Sequence, residues 1–298
     1  MTRQEKLQWL SGAMSGYTRR FAFYVGRQCQ KSNIQDVAKE LNLDWKTVKE
    51  LEKEYMQGKL SRAGPANPKV IGIDEISRRK GHTYSIVVSD LEEKHPIWFG
   101  GDDRSEESMC LFYKELGHDK CKQIRLGIMG MWKPFSNAFE EHAPQAAILF
   151  DRFHVMRHLG EALDKIRKQE YSRLSGNDKQ RSFIKGQKYT LLSRNKNLGL
   201  DGKRSLKLLL KVNKRLNTAY LLKESFSQLW NYQSEAWARK FFDNWKASLK
   251  WQRLNPFEEF AELIERHWSG IAAYAKPENK VSLGFVEGLN NKIRVLST

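Results

Sequence analysis

Acidic side chains follow two apolar runs that have the composition of buried strands. The run Val70–Ile73 leads into Asp74, and the run Ala146–Phe150 leads into Asp151, with His154 three residues later. Apolar and β-branched residues of this kind predict central strands that deliver an acid to one edge of a sheet. Carboxylates that converge there can hold divalent metal ions. Taken alone, an Asp that ends an apolar strand, as Asp74 does, is more often a strand cap than a catalytic residue. His154 is nearly as well explained as a hydrogen-bonded residue at a helix start.

The elements that must position these acids can be assigned across residues 70–155. Strands are predicted at Val70–Ser77, Tyr84–Asp90, Ile97–Phe99, Gln123–Met129 and Ala146–Phe150, and helices over Ser105–Leu116, from Pro134 onward and after Asp151. The order β-β-β-α-β-α-β-α predicts an α/β fold with a mixed five-stranded sheet, the ribonuclease-H-like architecture. Asp74 is then expected at the end of the first strand, at the mouth of the sheet.

The charge of the chain predicts a polyanionic partner. The 298 residues carry a formal net charge of +17, distributed as about +6 over residues 1–69, about −4 over 70–151 and about +14 over 152–280. An excess of this size favours nucleic acid, most simply double-stranded DNA. An acidic sheet between basic flanks fits a metal site held between two DNA-binding surfaces, although unevenly placed solvated charge would give the same pattern.

The cysteines and the hydropathy exclude several other classes of protein. Cys29, Cys110 and Cys121 form no C-x-x-C pair, so no zinc site is expected and the thiols are expected to be reduced. No apolar run reaches the roughly 18 residues of a membrane helix, and the chain does not open with a signal pattern. The sequence therefore predicts a protein that is cytoplasmic or associated with the nucleoid and has no membrane partner.

A helix-turn-helix motif is predicted at about residues 32–55. Asn33 can cap a helix running to Leu41, and Asp44 can cap a second helix after a three-residue turn. The second helix of such a motif enters the major groove. Candidate DNA contacts are Trp45, Lys46, Thr47, Lys49 and Lys53, together with Arg19 and Arg20 of a basic aromatic stretch in a region, residues 1–24, that is expected to be helical. An ordinary helical hairpin is the alternative.

Composition also predicts the division into domains. Residues 1–60 form the helical DNA-binding region, and the Gly- and Pro-rich residues 61–69 form a linker. Residues 156–280 are basic and lack strand-like alternation, which predicts a large all-α region. This stretch contains Trp230, Trp237, Trp245, Trp251 and Trp268. Such residues can stack on unpaired bases, but tryptophan at helical spacing is more often part of a packed core.

Four strings carry a resemblance to a known family. They are G-I-D-E at 72–75, M-W-K-P-F at 131–135, D-R-F-H-V at 151–155 and F-V-E-G-L-N-N-K-I at 285–293. In this order they resemble the DDE transposases of the ISL-three group of bacterial insertion sequences, and the likeness covers nearly the whole chain. It implies a ribonuclease-H-like core over residues 70–155 and 281–298, interrupted by the helical insertion, with Mg²⁺ or Mn²⁺ as the metal.

The resemblance implies roles for individual residues. Asp74 corresponds to the first catalytic acid and Glu287 to the last, both as metal ligands, while Asp151 and His154 support the site. The second acid would stand where this chain has Gly130, which supplies no ligand. The family's Cys-rich zinc module before the helix-turn-helix, and its R-R-x-Y-G segment after the last string, have no counterpart in this sequence.

These observations together predict a DNA-binding protein derived from an insertion-sequence transposase, with an impaired catalytic site. Gly130 and the two absent segments imply a remnant or a repurposed descendant. One alternative is an active DDE transposase that takes Asp151 as a replacement ligand. The other is a non-catalytic DNA-binding subunit that pairs with a complete transposase or another DNA-processing complex. The expected protein partners are a second copy of the chain, as a homo-oligomer, or another DNA-processing protein.

Overall fold

The computed structural model describes residues 7–61, 66–79, 83–174, 176 and 178–279. The chain divides between Asn67 and Pro68, where one compact unit ends and another begins. Glu287 and the string at 285–293 lie outside the described residues. Within the described ranges, every helix is too short or too polar to cross a lipid bilayer.

The first unit contains the predicted helix-turn-helix. Its helices are Arg19–Cys29 (α1), Ile34–Glu40 (α2) and Trp45–Leu60 (α3). Thr18, Asn33 and Asp44 cap them by accepting hydrogen bonds from N–H groups of the first turn, donors that otherwise lack partners. A Cβ at Gly26 would lie 2.2 Å from Tyr55 Cγ, so α1 and α3 approach this closely only because residue 26 is glycine.

The predicted helix over residues 1–24 is wrong for its described part before Arg19. The chain there forms turns closed by an isolated β-bridge between Leu10 and Thr18. The Glu54 carboxylate of α3 accepts hydrogen bonds from the Ser11 hydroxyl and, at 3.2 Å, from the Gly12 N–H. A partner more than forty residues away in sequence thus fixes this segment, and it overrides a weak local helical period.

A mixed five-stranded sheet forms the centre of the second unit. Its strands are Val70–Arg79 (β1), Thr83–Asp90 (β2), His95–Gly100 (β3), Leu126–Met129 (β4) and Ala147–Phe150 (β5). Their order in the sheet is β3-β2-β1-β4-β5. β1, β2 and β3 are antiparallel neighbours, whereas β4 and β5 run parallel to β1. The predicted ribonuclease-H-like fold class is confirmed.

The register of the parallel strands decides where the acids emerge. Ile73 pairs with Met129, and Met129 pairs with Phe150, at the last rung of both ladders. Beyond that rung β1 continues to Arg79, paired only with β2. Asp74 therefore lies inside β1, and the prediction that it ends the strand is wrong. The edge opens there because β4 is short, not because β1 stops.

Three helices follow the first strands. They are Glu106–Leu116 (α4), His118–Cys121 (α5) and Lys133–His142 (α6). Ser105 caps α4, and Pro134 occupies the first turn of α6, where a missing N–H leaves no hydrogen bond unmade. A Cβ at Gly127 of β4 would lie 2.2 Å from the Phe139 ring, so a larger residue would push α6 off the sheet.

The described residues after Asp151 are entirely helical or irregular, as the predicted all-α insertion requires. The helices are Arg152–Arg173 (α7), Asp178–Gly186 (α8), Lys188–Leu192 (α9), Leu200–Val212 (α10), Lys214–Phe226 (α11), Glu235–Ser248 (α12), Asn255–Arg266 (α13) and Trp268–Ala272 (α14). Trp230 and Trp245 are each 4% exposed and belong to the core, whereas Trp237 is 60% exposed. Packing thus assigns Trp230 and Trp245 to the core, as the sequence favours for tryptophan at helical spacing, and leaves Trp237 at the surface.

Candidate metal site and DNA-binding surface

A small cleft opens at the edge of the sheet where the parallel ladders end. Asp74 of β1, Gly130 after β4, and Asp151 and His154 after β5 line it, above a floor of strand residues. Its cavity volume is about 20 Å³, enough for about one water-sized group. The parallel register places these residues together, since Asp74, Gly130 and Asp151 each directly follow the last rung of the parallel ladders, and His154 lies in the first turn of α7.

Asp151 is the N-cap of α7 and the partner of His154. Its Oδ1 accepts a hydrogen bond of 2.9 Å from the Phe153 N–H, and its Oδ2 lies 3.0 Å from His154 Nδ1. Burial opposes protonation of His154, but the hydrogen bond and charge of Asp151, with the charge of Asp74, raise the pKa of the imidazole. Both carboxylate oxygens of Asp151 therefore already have partners.

Asp74 lies among other acids in a partly buried position. Burial raises the pKa of Asp74, and the charges of Glu75 and Asp151 raise it further, against the Glu75 N–H hydrogen bond of 2.8 Å and the charge of His154. Carboxylates that repel one another in this way create a local field that a bound cation would relieve. A cation bound at this edge would therefore be favoured by the surrounding carboxylates.

Gly130 lies against the His154 ring. A Cβ at this position would be 3.3 Å from His154 Cδ2, slightly closer than an ordinary van der Waals contact, and 3.5 Å from Cγ, an ordinary contact. Any side chain at residue 130 thus requires the imidazole to move by a few tenths of an ångström. The position that would carry the second acid supplies no ligand atom, and a histidine ring covers it.

The described residues fit one divalent ion better than two. Carboxylate oxygens are the ligands that Mg²⁺ and Mn²⁺ prefer, and Asp74 offers them. Asp151 would have to give up its helix cap or its histidine before it could bind. Two ions about 4 Å apart need further carboxylates between and around them, and Gly130 contributes none. Glu287, the predicted last ligand, lies outside the described residues.

A stacked cluster next to the acids was missed by sequence reasoning. The Arg104 guanidinium lies 4.2 Å from the centre of the Tyr84 ring and 4.8 Å from that of Trp132. The guanidinium is also 3.6 Å from the Glu75 carboxylate. The backbone carbonyl of Arg104 accepts a 2.8 Å hydrogen bond from Trp132 Nε1. The available signal was that Glu75 directly follows Asp74 and that Trp132 lies in the string after Gly130. Through Arg104 the cluster connects Glu75 of β1, next to Asp74, with Trp132 in the segment after Gly130.

Most predicted DNA contacts of the first unit are accessible. Arg19, Arg20, Trp45 and Lys46 are exposed, and Thr47 is half-buried. Arg19 Nε donates a hydrogen bond of 3.2 Å to the Leu10 carbonyl. Lys53 is partly exposed and makes a 2.9 Å ion pair with Glu50. Basic and aromatic side chains are thus accessible on both α1 and α3.

Lys49 does not belong to these accessible side chains. It is only 7% exposed, so its predicted role as a groove or backbone contact is not supported by its position. Residue 49 lies three positions before the buried Glu52 and four after Trp45, whose ring centre is 5.9 Å from Lys49 Nζ. Helical spacing therefore puts Lys49 on the margin of the buried stripe.

The fold and the site define a class of protein, the ribonuclease-H-like DDE enzymes and their relatives, here with a helix-turn-helix. Comparison with family models agrees. Residues 71–298 match the ISL3 transposase model, and residues 12–56 match the helix-turn-helix domain of transposase family ISL3. The chain therefore belongs to transposase family ISL3. Membership implies DNA binding through the helix-turn-helix and divalent metal use in the DDE domain.

Curated relatives come from insertion sequences of two bacterial genera. The transposase for insertion sequence element IS1001 of Bordetella parapertussis is 30% identical over 295 residues, which is 99% of this chain and 72% of the relative. The transposase for insertion sequence element IS1557 of two Mycobacterium tuberculosis strains is 27% identical over 293 residues, covering 90% of this chain and 64% of the relative. The chain thus spans about two thirds of the length of these proteins.

Proposed function

We propose that this chain is a DNA-binding protein of the transposase family in which metal-dependent strand cleavage and transfer are impaired. The observation that carries the proposal is Gly130, which stands between Asp74 and Asp151 at the open edge of the sheet and packs against His154. A transposase-like site without its second acid keeps the DNA-binding surface but loses a metal ligand.

The chemistry explains why one carboxylate matters so much. Strand cleavage and transfer displace a phosphate ester oxygen, and two metal ions stabilise the attacking and the leaving oxygen. Asp74, with Glu287 as the family resemblance implies, would hold one Mg²⁺ or Mn²⁺ ion. Loss of one preorganised charge-stabilising group lowers a rate by about a hundredfold to a thousandfold. We therefore expect activity of the unaltered chain to stay at background.

The proposed partner is double-stranded DNA, bound through the exposed side chains of α1 and α3. Arg19, Arg20, Lys46 and Lys53 would contact phosphates, and Trp45 with Thr47 would contact base edges or sugars. A protein bound to DNA in this way would be associated with the bacterial nucleoid. A second copy of the chain, or another DNA-processing protein, is the proposed further partner.

An active enzyme with a replacement ligand is the second candidate. One observation favours it, because Asp151 lines the same small cleft as Asp74 and its charge acts on that carboxylate. Against it, Asp151 would have to release the Phe153 N–H or the His154 ring. This candidate predicts that strand transfer by the unaltered chain is present and is lost on Asp151→Ala.

The test is cleavage and strand transfer of a DNA substrate in Mg²⁺ or Mn²⁺ by the unaltered chain, Gly130→Asp and Gly130→Asn. Asp and Asn have nearly the same shape and displace His154 equally, but only Asp adds a charged ligand. We expect background activity from the unaltered chain and from Gly130→Asn, and weak metal-dependent nicking from Gly130→Asp. Robust strand transfer by the unaltered chain would overturn the proposal.

Metal binding gives a readout that does not depend on activity. Titration with Mn²⁺, followed by electron paramagnetic resonance, should show weak binding to the unaltered chain that tightens in Gly130→Asp but not in Gly130→Asn. Asp74→Asn should remove the weak binding, since Asp74 is the proposed ligand among the described residues. Tight binding of two ions by the unaltered chain would contradict the assignment of Gly130 as the defect.

A further inference from the structure

A charged and aromatic feature of the helical region is not used by the site described above. Between α12 and α13 the chain turns through Lys250–Arg253, and Trp251 in this loop is 85% exposed. No other large apolar side chain among the described residues is more exposed. One exposed apolar side chain is ordinary on a protein surface, but the backbone of the loop that carries Trp251 has an uncommon conformation.

The loop that carries Trp251 is fixed on both sides. Leu249 and Leu254 are buried, and the Arg253 carbonyl accepts a 2.9 Å hydrogen bond from Arg215 Nη2 of α11. Trp251 has a φ of 70° and Arg253 a φ of 55°, both in the left-handed region, which bulky residues seldom adopt. Such strain persists where the surrounding structure enforces it, and it is often found at binding sites.

Arg215 also lines an open cleft on the neighbouring helices. The cleft has a volume of about 440 Å³ and is lined by Lys168, Gln169, Ser172, Arg173 and Arg215. Two carboxylates lie beside it, Asp164 at 3.2 Å from Lys168 and Glu170 at 3.0 Å from both Arg173 and Arg215. Each is shared by two cations, so the group retains a positive surplus. The volume is in the range of sites for nucleotide-sized ligands.

Two of these cations can reach a ligand. The Lys168 and Arg173 side chains are 69% and 65% exposed, so each can turn from its carboxylate to a phosphate. The carboxylates left behind keep a second cation, Arg167 for Asp164 and Arg215 for Glu170. Lys250 and Arg253 flank Trp251, and residues 249–255 contain no acid. A rigid exposed indole beside a basic groove is the combination that proteins use to bind unpaired nucleotides.

We propose that the Trp251 loop and this cleft form a second nucleic-acid site, which takes an unpaired DNA base on the indole and its phosphates on Lys168 and Arg173. The site rests on the proposed function, because it assigns part of the DNA binding to the helical region. An unpaired base is required, since only a base outside the helical stack offers a free face to a single indole.

The experiment compares two DNA probes that differ in one feature. One is a fully paired duplex, and the other is the same duplex with a short unpaired end that carries 2-aminopurine. Trp251→Ala should weaken binding of the unpaired probe by about tenfold and leave the paired probe unchanged, while Trp251→Phe should retain most of the preference. Trp237→Ala is the matched control, because Trp237 is also exposed but lies within α12, away from the loop.

The aminopurine emission reports stacking directly. It should be quenched by the unaltered chain and by Trp237→Ala, but not by Trp251→Ala. Lys168→Gln with Arg173→Gln should reduce the slope of log affinity against log salt by roughly two units on the unpaired probe. The exposed pair Lys203→Gln with Arg204→Gln of α10 serves as its control.

The outcomes separate this inference from the function on which it rests. If the unaltered chain binds both probes equally, or if Trp251→Ala keeps the full preference and the quenching, the second site is overturned while DNA binding stands. If the unaltered chain binds neither probe at low salt, both proposals fail. Loss of the preference in Trp251→Ala with retained paired binding supports the site.

Discussion

The sheet edge and the helical region differ in where their charged side chains lie. At the edge, Asp74, Asp151 and His154 are partly buried, and the charge of Asp151 acts on both Asp74 and His154. In the helical region most cations are at the surface and aromatic rings fill the interior. Burial strengthens electrostatic interactions and makes every partner consequential, whereas exposed charge is weak pair by pair and acts collectively on a polyanion. Buried charged residues are therefore suited to a catalytic or metal site, and exposed ones to binding a polyanion such as DNA.

The largest effect should come from the aromatic interior of the helical region. Trp245 packs against Phe226 with ring centres 4.8 Å apart, and its Nε1 donates a 3.0 Å hydrogen bond to the Leu222 carbonyl. Trp245→Ala should lower the free energy of unfolding by about 3–5 kcal/mol, measured by denaturant titration. The exposed Trp237→Ala should change it by less than about 0.5 kcal/mol. Equal effects would remove the distinction between buried and exposed tryptophan.

A smaller loss of stability should follow from removing Asp151. Asp151→Ala deletes the N-cap of α7 and the partner of His154, and should lower the free energy of unfolding by about 2 kcal/mol. Asp151→Asn should lower it less, because an amide oxygen can still cap the helix. Asp201→Ala, in the exposed first turn of α10, is the control and should show no measurable change. A stable Asp151→Ala protein would show that this acid is not committed to structure.

The exposed charge of the first unit should affect binding rather than stability. Arg20→Gln with Lys46→Gln should weaken duplex binding by about tenfold and lower the slope of log affinity against log salt by roughly two units, without shifting the unfolding midpoint. Fluorescence anisotropy at several salt concentrations measures this. Lys114→Gln with Lys122→Gln, exposed in the acidic sheet segment, removes the same charge and should leave binding unchanged. An equal loss in both double variants would mean that only net charge matters.

The smallest effect should be a pH dependence of the sheet edge. The pKa of His154 is raised in the folded protein, so its stabilising contribution is complete below about pH 6.5 and is lost as the pH rises through the folded value. The pKa of Asp74 is raised as well, so its contribution has the same sign. Between pH 6 and pH 8.5 the free energy of unfolding, measured by denaturant titration, should fall more for the unaltered chain than for His154→Gln. A parallel pH dependence of the two proteins would refute the coupling.

Local sequence determined the elements of this protein. The caps Asn33 and Asp44, the proline of α6 and the apolar runs of the five strands identify their helices and strands because capping, turns and strand alternation depend on neighbours in the chain. The resemblance of four short strings was enough for the family. The absence of an acid at residue 130 was likewise visible from sequence alone.

Tertiary packing decided the rest. Asp74 lies inside β1 because β1 continues past it in its pairing with β2, and the sheet edge opens there because β4 is short. Lys49 is buried because of its place on α3, and Arg104 stacks on Tyr84 and Trp132 from other segments of the chain. The sequence pattern also did not show which tryptophans belong to the core and which lie at the surface. Each of these outcomes depends on contacts between residues that are far apart in the sequence. A local sequence pattern does not reveal such contacts, because they form only when the chain folds.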